Sequence, residues 1–115
     1  MHKYGAKKTE IDGIKFDSLL EGRFYRYFKE NNIKILEFQP SYLLQDKFKY
    51  NGKTIRAIKY IADFKIEHNG DIYIVDAKGM TTPVFALKHK LWLKRYGSEN
   101  ILIIAKSIKD LKTKI

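Results

Sequence analysis

Two Asn-Gly dipeptides, Asn51-Gly52 and Asn69-Gly70, constrain this chain more than any other feature. Asn-Gly accepts the positive φ angles that a two-residue hairpin turn demands at both central positions, and each pair lies between runs that alternate apolar and polar residues. The segment from Ile33 to Ala77 must therefore double back twice, as three antiparallel strands near Ile35–Tyr50, Lys53–Glu67 and Asp71–Lys78. Pro40 has no N–H to give to a ladder, so the first strand is expected to begin at an edge or a bulge. Strand side chains alternate between faces, and a two-residue turn at Asn69-Gly70 fixes which residues meet. It sets Asp63 opposite Asp76 with Lys78 on the same face, while Ala62, Phe64 and Ile66 share the core side with Ala77, Val75 and Tyr73.

Helical spacing flanks this meander. Ser18-Leu19-Leu20-Glu21 reads as a capping box, and Leu20, Phe24 and Tyr27/Phe28 recur at helical spacing, which predicts a helix from about Ser18 to Glu30 ended by Asn31-Asn32. Thr82-Pro83 offers a cap followed by proline at the first helical position. From there Val84, Leu87, Leu91 and Phe85, Trp92, Tyr96 make an apolar stripe down to Gly97. Ile101–Ala105 has the unbroken apolar character of a buried strand, and Ser107–Lys114 reads as a short basic helix. Ahead of these elements, residues 1–15 form a basic arm and a short hairpin turning at Asp12-Gly13. The order helix, three-strand meander, helix, strand predicts an α/β (α+β) fold, with a mixed, mainly antiparallel sheet flanked by helices.

A chain of 115 residues with no linker or repeat is expected to be a single domain, 1–115, and 44% hydrophobic residues suffice for a core. No apolar run approaches the ~20 residues of a membrane helix, so no membrane partner is expected. The stretch Met1-His2-Lys3-Tyr4-Gly5 lacks the apolar segment of a secretory leader, from which a cytoplasmic location is expected. The absence of cysteine excludes disulfide scaffolds, thiolate metal sites and cysteine nucleophiles. His2, His68 and His89 have no metal-ligand spacing and read as surface residues, while Trp92 and the tyrosines read as core or interface. Lys and Arg number 23 against 13 acids, a net charge of +10 that suits a polyanionic partner.

The facing aspartates need an explanation, because two carboxylates about 5 Å apart across a sheet repel one another. A divalent cation shared by Asp63 and Asp76 relieves that repulsion, and hard oxygen ligands suit Mg²⁺. The alternatives are that Lys78 and neighbouring bases neutralise the pair, or that a bulge separates it. Glu21 has two readings that are compatible with each other. It closes a capping box on Ser18, and it can place a third carboxylate at the mouth of the same site.

These residues resemble the PD-(D/E)XK nuclease superfamily: Glu21 in the first helix, Asp63 in the second strand and Asp76-Ala77-Lys78 in the third. The stretches Phe16-Asp17-Ser18-Leu19-Leu20-Glu21, Phe38-Gln39-Pro40, Tyr60-Ile61-Ala62-Asp63-Phe64 and Val75-Asp76-Ala77-Lys78-Gly79-Met80 are similar to a small phage-encoded group. That group is related in fold to phage endonuclease I and to archaeal Holliday junction resolvases. The chain departs from the superfamily label at Ala62, where the label has proline, and carries Asp76 as the third-strand acid. The resemblance implies a restriction-endonuclease-like αβββαβ core and a Mg²⁺-dependent phosphodiesterase, with Mn²⁺ as a substitute, working in the host cytoplasm if phage-encoded. It further implies Asp63, Asp76 and the Ala77 carbonyl as metal ligands, Glu21 as holder of a second ion or a water, and Lys78 as the group that orients or deprotonates the attacking water. Gln39 is either an assisting residue or a buried amide that satisfies backbone near Pro40.

DNA is the expected partner. Lys88, Lys90, Lys94 and Arg95 on the outer face of the second helix, Arg56 and Lys59 on the second strand, and Lys3, Lys7 and Lys8 in the arm can track phosphates, or simply form a solvated cationic face. So short a chain has little room for a base-reading module, which favours recognition of branched DNA by shape, in the manner of a Holliday junction resolvase. A nicking or restriction-like endonuclease on duplex DNA and a non-catalytic nucleic-acid-binding domain are the competing readings. Paired nicks across a junction suit a symmetric homodimer, for which the aromatic-rich first helix (Phe24, Tyr25, Tyr27, Phe28) and the Asp12-Gly13 hairpin are the expected surfaces.

Overall fold

The turns expected from sequence organise the chain. In a computed structural model, which describes residues 8–115, Asp12-Gly13, Asn51-Gly52 and Asn69-Gly70 all have positive φ at both positions, between 50° and 84°. They close three hairpins: β1 (Thr9–Ile11) with β2 (Ile14–Phe16), β5 (Phe48–Tyr50) with β6 (Lys53–Ile55), and β8 (Phe64–His68) with β9 (Asp71–Ala77). The basic arm with Lys3 and Lys7 lies outside the described residues.

The meander is more broken than its alternation suggests. The first expected strand divides into β3 (Lys34–Phe38), β4 (Ser41–Gln45) and β5, and the second into β6, β7 (Ile58–Ile61) and β8. One break lies at Gln39, whose φ is 51°. Pro40 follows and supplies no donor to a ladder. These breaks let one long hairpin serve two sheets. Its inner strands β3 and β8 join β9 and β10 (Ile101–Ala105) in a four-stranded sheet of order β10-β9-β8-β3, with β10 parallel to β9 and the other pairs antiparallel. Its outer part continues as the two-stranded ribbons β4-β7 and β5-β6.

Both faces of the central sheet are covered. The helix α1 (Leu19–Glu30) starts at Ser18, whose hydroxyl accepts the Glu21 N–H, and packs Phe24, Tyr25 and Phe28 on Phe64, Ile66 and Val75. The short helix α3 (Ile108–Lys114) adds Leu111 to that core. Gly22 lets β1 approach α1 closely, since a Cβ there would lie 2.9 Å from both Ile11 and Thr9 side-chain atoms. The other face carries α2 (Pro83–Tyr96), whose Phe85 and Trp92 pack with Tyr60, Ala62, Leu44 and Ile74. Ala62 thus belongs to the α2 side, not to the core of Phe64 and Ile66 as alternation predicts, because the chain bends between β7 and β8.

The fold is α+β, with the order α1, β3, β8, β9, α2, β10 in its centre. Two expectations change. Only the Phe85, Trp92, Tyr96 stripe of α2 packs inward, while Val84, Leu87 and Leu91 lie exposed on another side. The aromatic surplus of α1 is consumed within the protomer: Phe24, Tyr25 and Phe28 are buried and Tyr27 packs against the same core, which removes the motive for pairing through that helix. Tyr25 also donates to Asp12 at 2.8 Å, tying the first hairpin down onto α1. Among the described residues no helix is long and apolar enough to cross a membrane.

Candidate functional site

The β8-β9 ladder keeps the expected register, Phe64 facing Val75 and His68 facing Asp71. One step further on, it gives way. The Asp63 N–H donates to the Val75 carbonyl at 3.1 Å, and the Asp63 Oδ2 accepts the Ala77 N–H at 2.8 Å. The irregularity turns the Asp63 carboxyl toward the end of β9 while leaving it beside Asp76. The pair that the register predicts therefore forms through side chains, at a bend instead of within a regular ladder.

Asp76 is the one buried charged residue among the described residues, at 3% exposure. It does not stand alone. The Tyr60 hydroxyl donates to its Oδ2 at 2.5 Å, and Lys78 Nζ lies 3.9 Å from the same oxygen. Lys78 Nζ also sits 4.5 Å from the centroid of the Phe85 ring, a cation–π placement that fixes the ammonium between an aromatic face and a carboxylate. The Lys78 N–H is bonded to the Ala105 carbonyl at 2.9 Å, so β10 anchors the backbone of the site.

The electrostatics reflect crowding of acids. Burial, with the adjacent Asp76 adding to it, pushes the Asp63 carboxyl up to about 9. Burial likewise raises the Tyr60 phenol far above its usual range, with Asp76 next in importance, so the hydroxyl stays a donor. Glu21 is raised too, by burial first and then by Asp17, against the lowering bond from Ser18; Asp76 contributes at longer range. Ser18 caps the helix: its Oγ accepts the Glu21 N–H at 3.1 Å and donates to Glu21 Oε1 at 3.3 Å, so the carboxyl meets the Ser18 hydroxyl, not the backbone N–H that a capping box engages. Glu21 nevertheless lines an open cleft of about 630 Å³ together with Asp17, Arg23, Ala77, Lys78 and Met80. Its carboxyl thus supports the Ser18 cap and faces the same cleft as Lys78.

Glu21, Asp63, Asp76 and Lys78 therefore gather around one end of β9. Among the described residues no three acids or histidines converge as a ready ligand cluster. The Asp63–Asp76 pair by itself suits a hard cation that keeps much of its water and takes one or two carboxylates, which is the habit of Mg²⁺. Gln39 is exposed, so its expected role as a buried amide does not hold; its backbone N–H donates to the Asp63 carbonyl at 2.9 Å. Sequence reasoning missed Tyr60 and Phe85, and no local pattern marks them, since each looks like an ordinary core aromatic.

The basic residues divide. Lys8, Arg56, Lys59, Lys90 and Lys94 are exposed, whereas Lys88 is half-buried. Arg95 is exposed as well, and its Nη1 donates to the Leu44 carbonyl at 3.1 Å, which ties α2 to β4. His89 is half-buried and stacks on Phe85, with ring centroids 5.7 Å apart, so it is not the surface residue expected from sequence.

No curated protein and no solved structure matches this chain. One family model does, along residues 1–112, and on that match the chain belongs to the DUF1064 family, whose description is a protein of unknown function.

Proposed function

We propose that this protein is a metal-dependent endonuclease that hydrolyses DNA phosphodiester bonds and prefers branched DNA. The observation that carries the reading is the crowding of Asp63 against the buried Asp76, with Lys78 Nζ 3.9 Å from Asp76 beside the cleft that Glu21 lines. Burying like charges together destabilises a fold, and strongly perturbed acids in a cleft mark a chemical site.

Asp63, Asp76 and the Ala77 carbonyl are the groups that would hold Mg²⁺ or Mn²⁺. Such an ion, when bound, compensates phosphate charge and makes a water more acidic. The chain's own residues do the rest. Lys78, held by Phe85 and Asp76, presents an ammonium that can orient the attacking water and donate to the oxygen on which charge develops. Glu21, its carboxyl directed by Ser18, would accept a hydrogen bond from a water in the cleft it lines. The net charge of +10 holds the phosphate backbone. One carboxylate cluster per chain cuts one strand, so resolving a junction takes a pair of copies related by a two-fold axis.

The test is cleavage of a labelled four-way junction, a linear duplex and a single strand, each with Mg²⁺, Mn²⁺ or EDTA. The expected result is paired nicks in the junction, dependent on the ion. Asp76→Asn and Lys78→Ala should each lower the rate by about 10²-fold or more in protein that still melts in one cooperative transition. Undiminished cleavage in both variants overturns the site. Equal rates on duplex and junction replace the resolvase reading with a nicking endonuclease.

A further inference from the structure

The β5-β6 ribbon is the least explained part of the molecule. Every residue from 45 to 56 is exposed, and neither strand packs against any other helix or strand among the described residues. An isolated two-stranded hairpin is marginally stable in water, so one standing free of the core is not there to support the fold. Its faces differ in a way that the register makes explicit. Phe48 pairs with Ile55 and Tyr50 with Lys53, which gathers Phe48, Tyr50, Ile55 and Lys53 on one side; the three apolar residues are 47%, 66% and 39% exposed. Lys49 pairs with Thr54 on the other side. Lys47, Lys49, Lys53 and Arg56 outnumber the single acid, Asp46.

The ribbon also points back to the site. It is continuous in sequence with β4-β7, whose Ser41–Ile61 pair is two residues from Asp63, and Arg95 and Tyr96 of α2 clamp the Leu43–Leu44 carbonyls at its base. From Asp63 to Lys53 the chain can span no more than about 34 Å at strand rise, close to one turn of a DNA duplex.

We infer that the β5-β6 ribbon is a DNA-binding arm that lies along the duplex flanking the cut, its lysines on phosphates and its Phe48–Tyr50 face against the groove. Charge complementarity selects the partner: a cationic, two-sided ribbon without any protein neighbour fits a polyanion, and a two-stranded ribbon is of a size that the major groove admits. The inference rests on the DNA reading above but not on the carboxylate site.

The test measures binding in EDTA, by fluorescence anisotropy, to a short duplex and a four-way junction over a range of salt. Lys49→Glu with Lys53→Glu should weaken binding about tenfold or more and reduce the salt slope by about two. An equal charge change placed elsewhere, Lys29→Glu with Lys109→Glu, should do markedly less. Phe48→Ala with Tyr50→Ala should weaken binding while leaving the salt slope unchanged. Because the ribbon packs on no other element among the described residues, the ribbon variants should melt as wild type does. Arm variants that bind like the control overturn the inference, as does a wild-type dimer that Phe48→Ala with Tyr50→Ala dissolves while DNA affinity is kept. Loss of binding in the arm variants alongside undiminished cleavage by Asp76→Asn upholds the arm and sinks the carboxylate site. A wild-type protein that binds no DNA overturns both.

Discussion

The two faces of the central sheet are built from alternate residues of the same strands, yet they do different work. On the α1 side, Val75 of β9 meets Phe24, Phe28, Phe64 and Leu111, a dry aromatic core in which the side chains are apolar. On the α2 side, its neighbour Asp76 is buried just as deeply but among polar groups: the Tyr60 hydroxyl, the Lys78 ammonium and the carboxyl of Asp63. The Trp92 indole N–H on that side has no hydrogen-bond partner among the described residues. Both faces bury aromatic side chains, and the α2 side in addition buries a carboxylate, which is held by the Tyr60 hydroxyl and the nearby Lys78 ammonium. The difference teaches that the α2 side buries a carboxylate at a desolvation cost that the apolar α1 side does not carry.

Three measurements sharpen or break this comparison. The largest effect belongs to the dry face: Phe28→Ala removes a fully buried ring and should cost about 3–5 kcal/mol, read from chemical or thermal denaturation. A loss below ~1 kcal/mol would mean that the α1 side contributes little to stability.

The second concerns pH. Burial and Asp76 raise Asp63 to about 9, so between that value and the ordinary carboxylate range near 4 the folded chain keeps a proton that the unfolded chain has released. Stability must then fall as pH rises across this window. The metal-free protein should melt several degrees lower at pH 8 than at pH 5, Asp63→Asn should flatten that dependence, and Mg²⁺ or Mn²⁺ should protect more at pH 8. A melting temperature that climbs steadily over this range in wild type and variant alike removes Asp63 from the account.

The smallest effect separates the two roles of Glu21. Glu21→Gln keeps most of the capping geometry with Ser18, so melting should change by less than ~0.5 kcal/mol equivalent. Cleavage should nonetheless drop about tenfold, or ~1.4 kcal/mol of transition-state stabilisation, because the negative charge in the cleft is gone. An unimpaired variant would leave Glu21 as a cap alone.

What the sequence by itself determined were features settled within a few residues. The Asn-Gly and Asp-Gly turns, the Ser18, Thr82 and Ser107 caps and the β8-β9 register each follow from local φ preference or a hydrogen bond to a near neighbour. The α+β order and the adjacency of Asp63 and Asp76 were legible for that reason. Tertiary structure alone decided what each face would meet. The interruption at Pro40 was legible from its missing N–H, but only the fold broke the second strand after Ile61, chose Phe85, Trp92 and Tyr96 over Val84, Leu87 and Leu91 as the packed stripe of α2, and brought Tyr60 to Asp76 across 16 positions of chain. It also left the β5-β6 ribbon without a packed neighbour among the described residues. The physical reason is that burial and desolvation are set by elements far apart in the chain. Alternation and periodicity say which residues share a side, and they are silent on what comes to cover it.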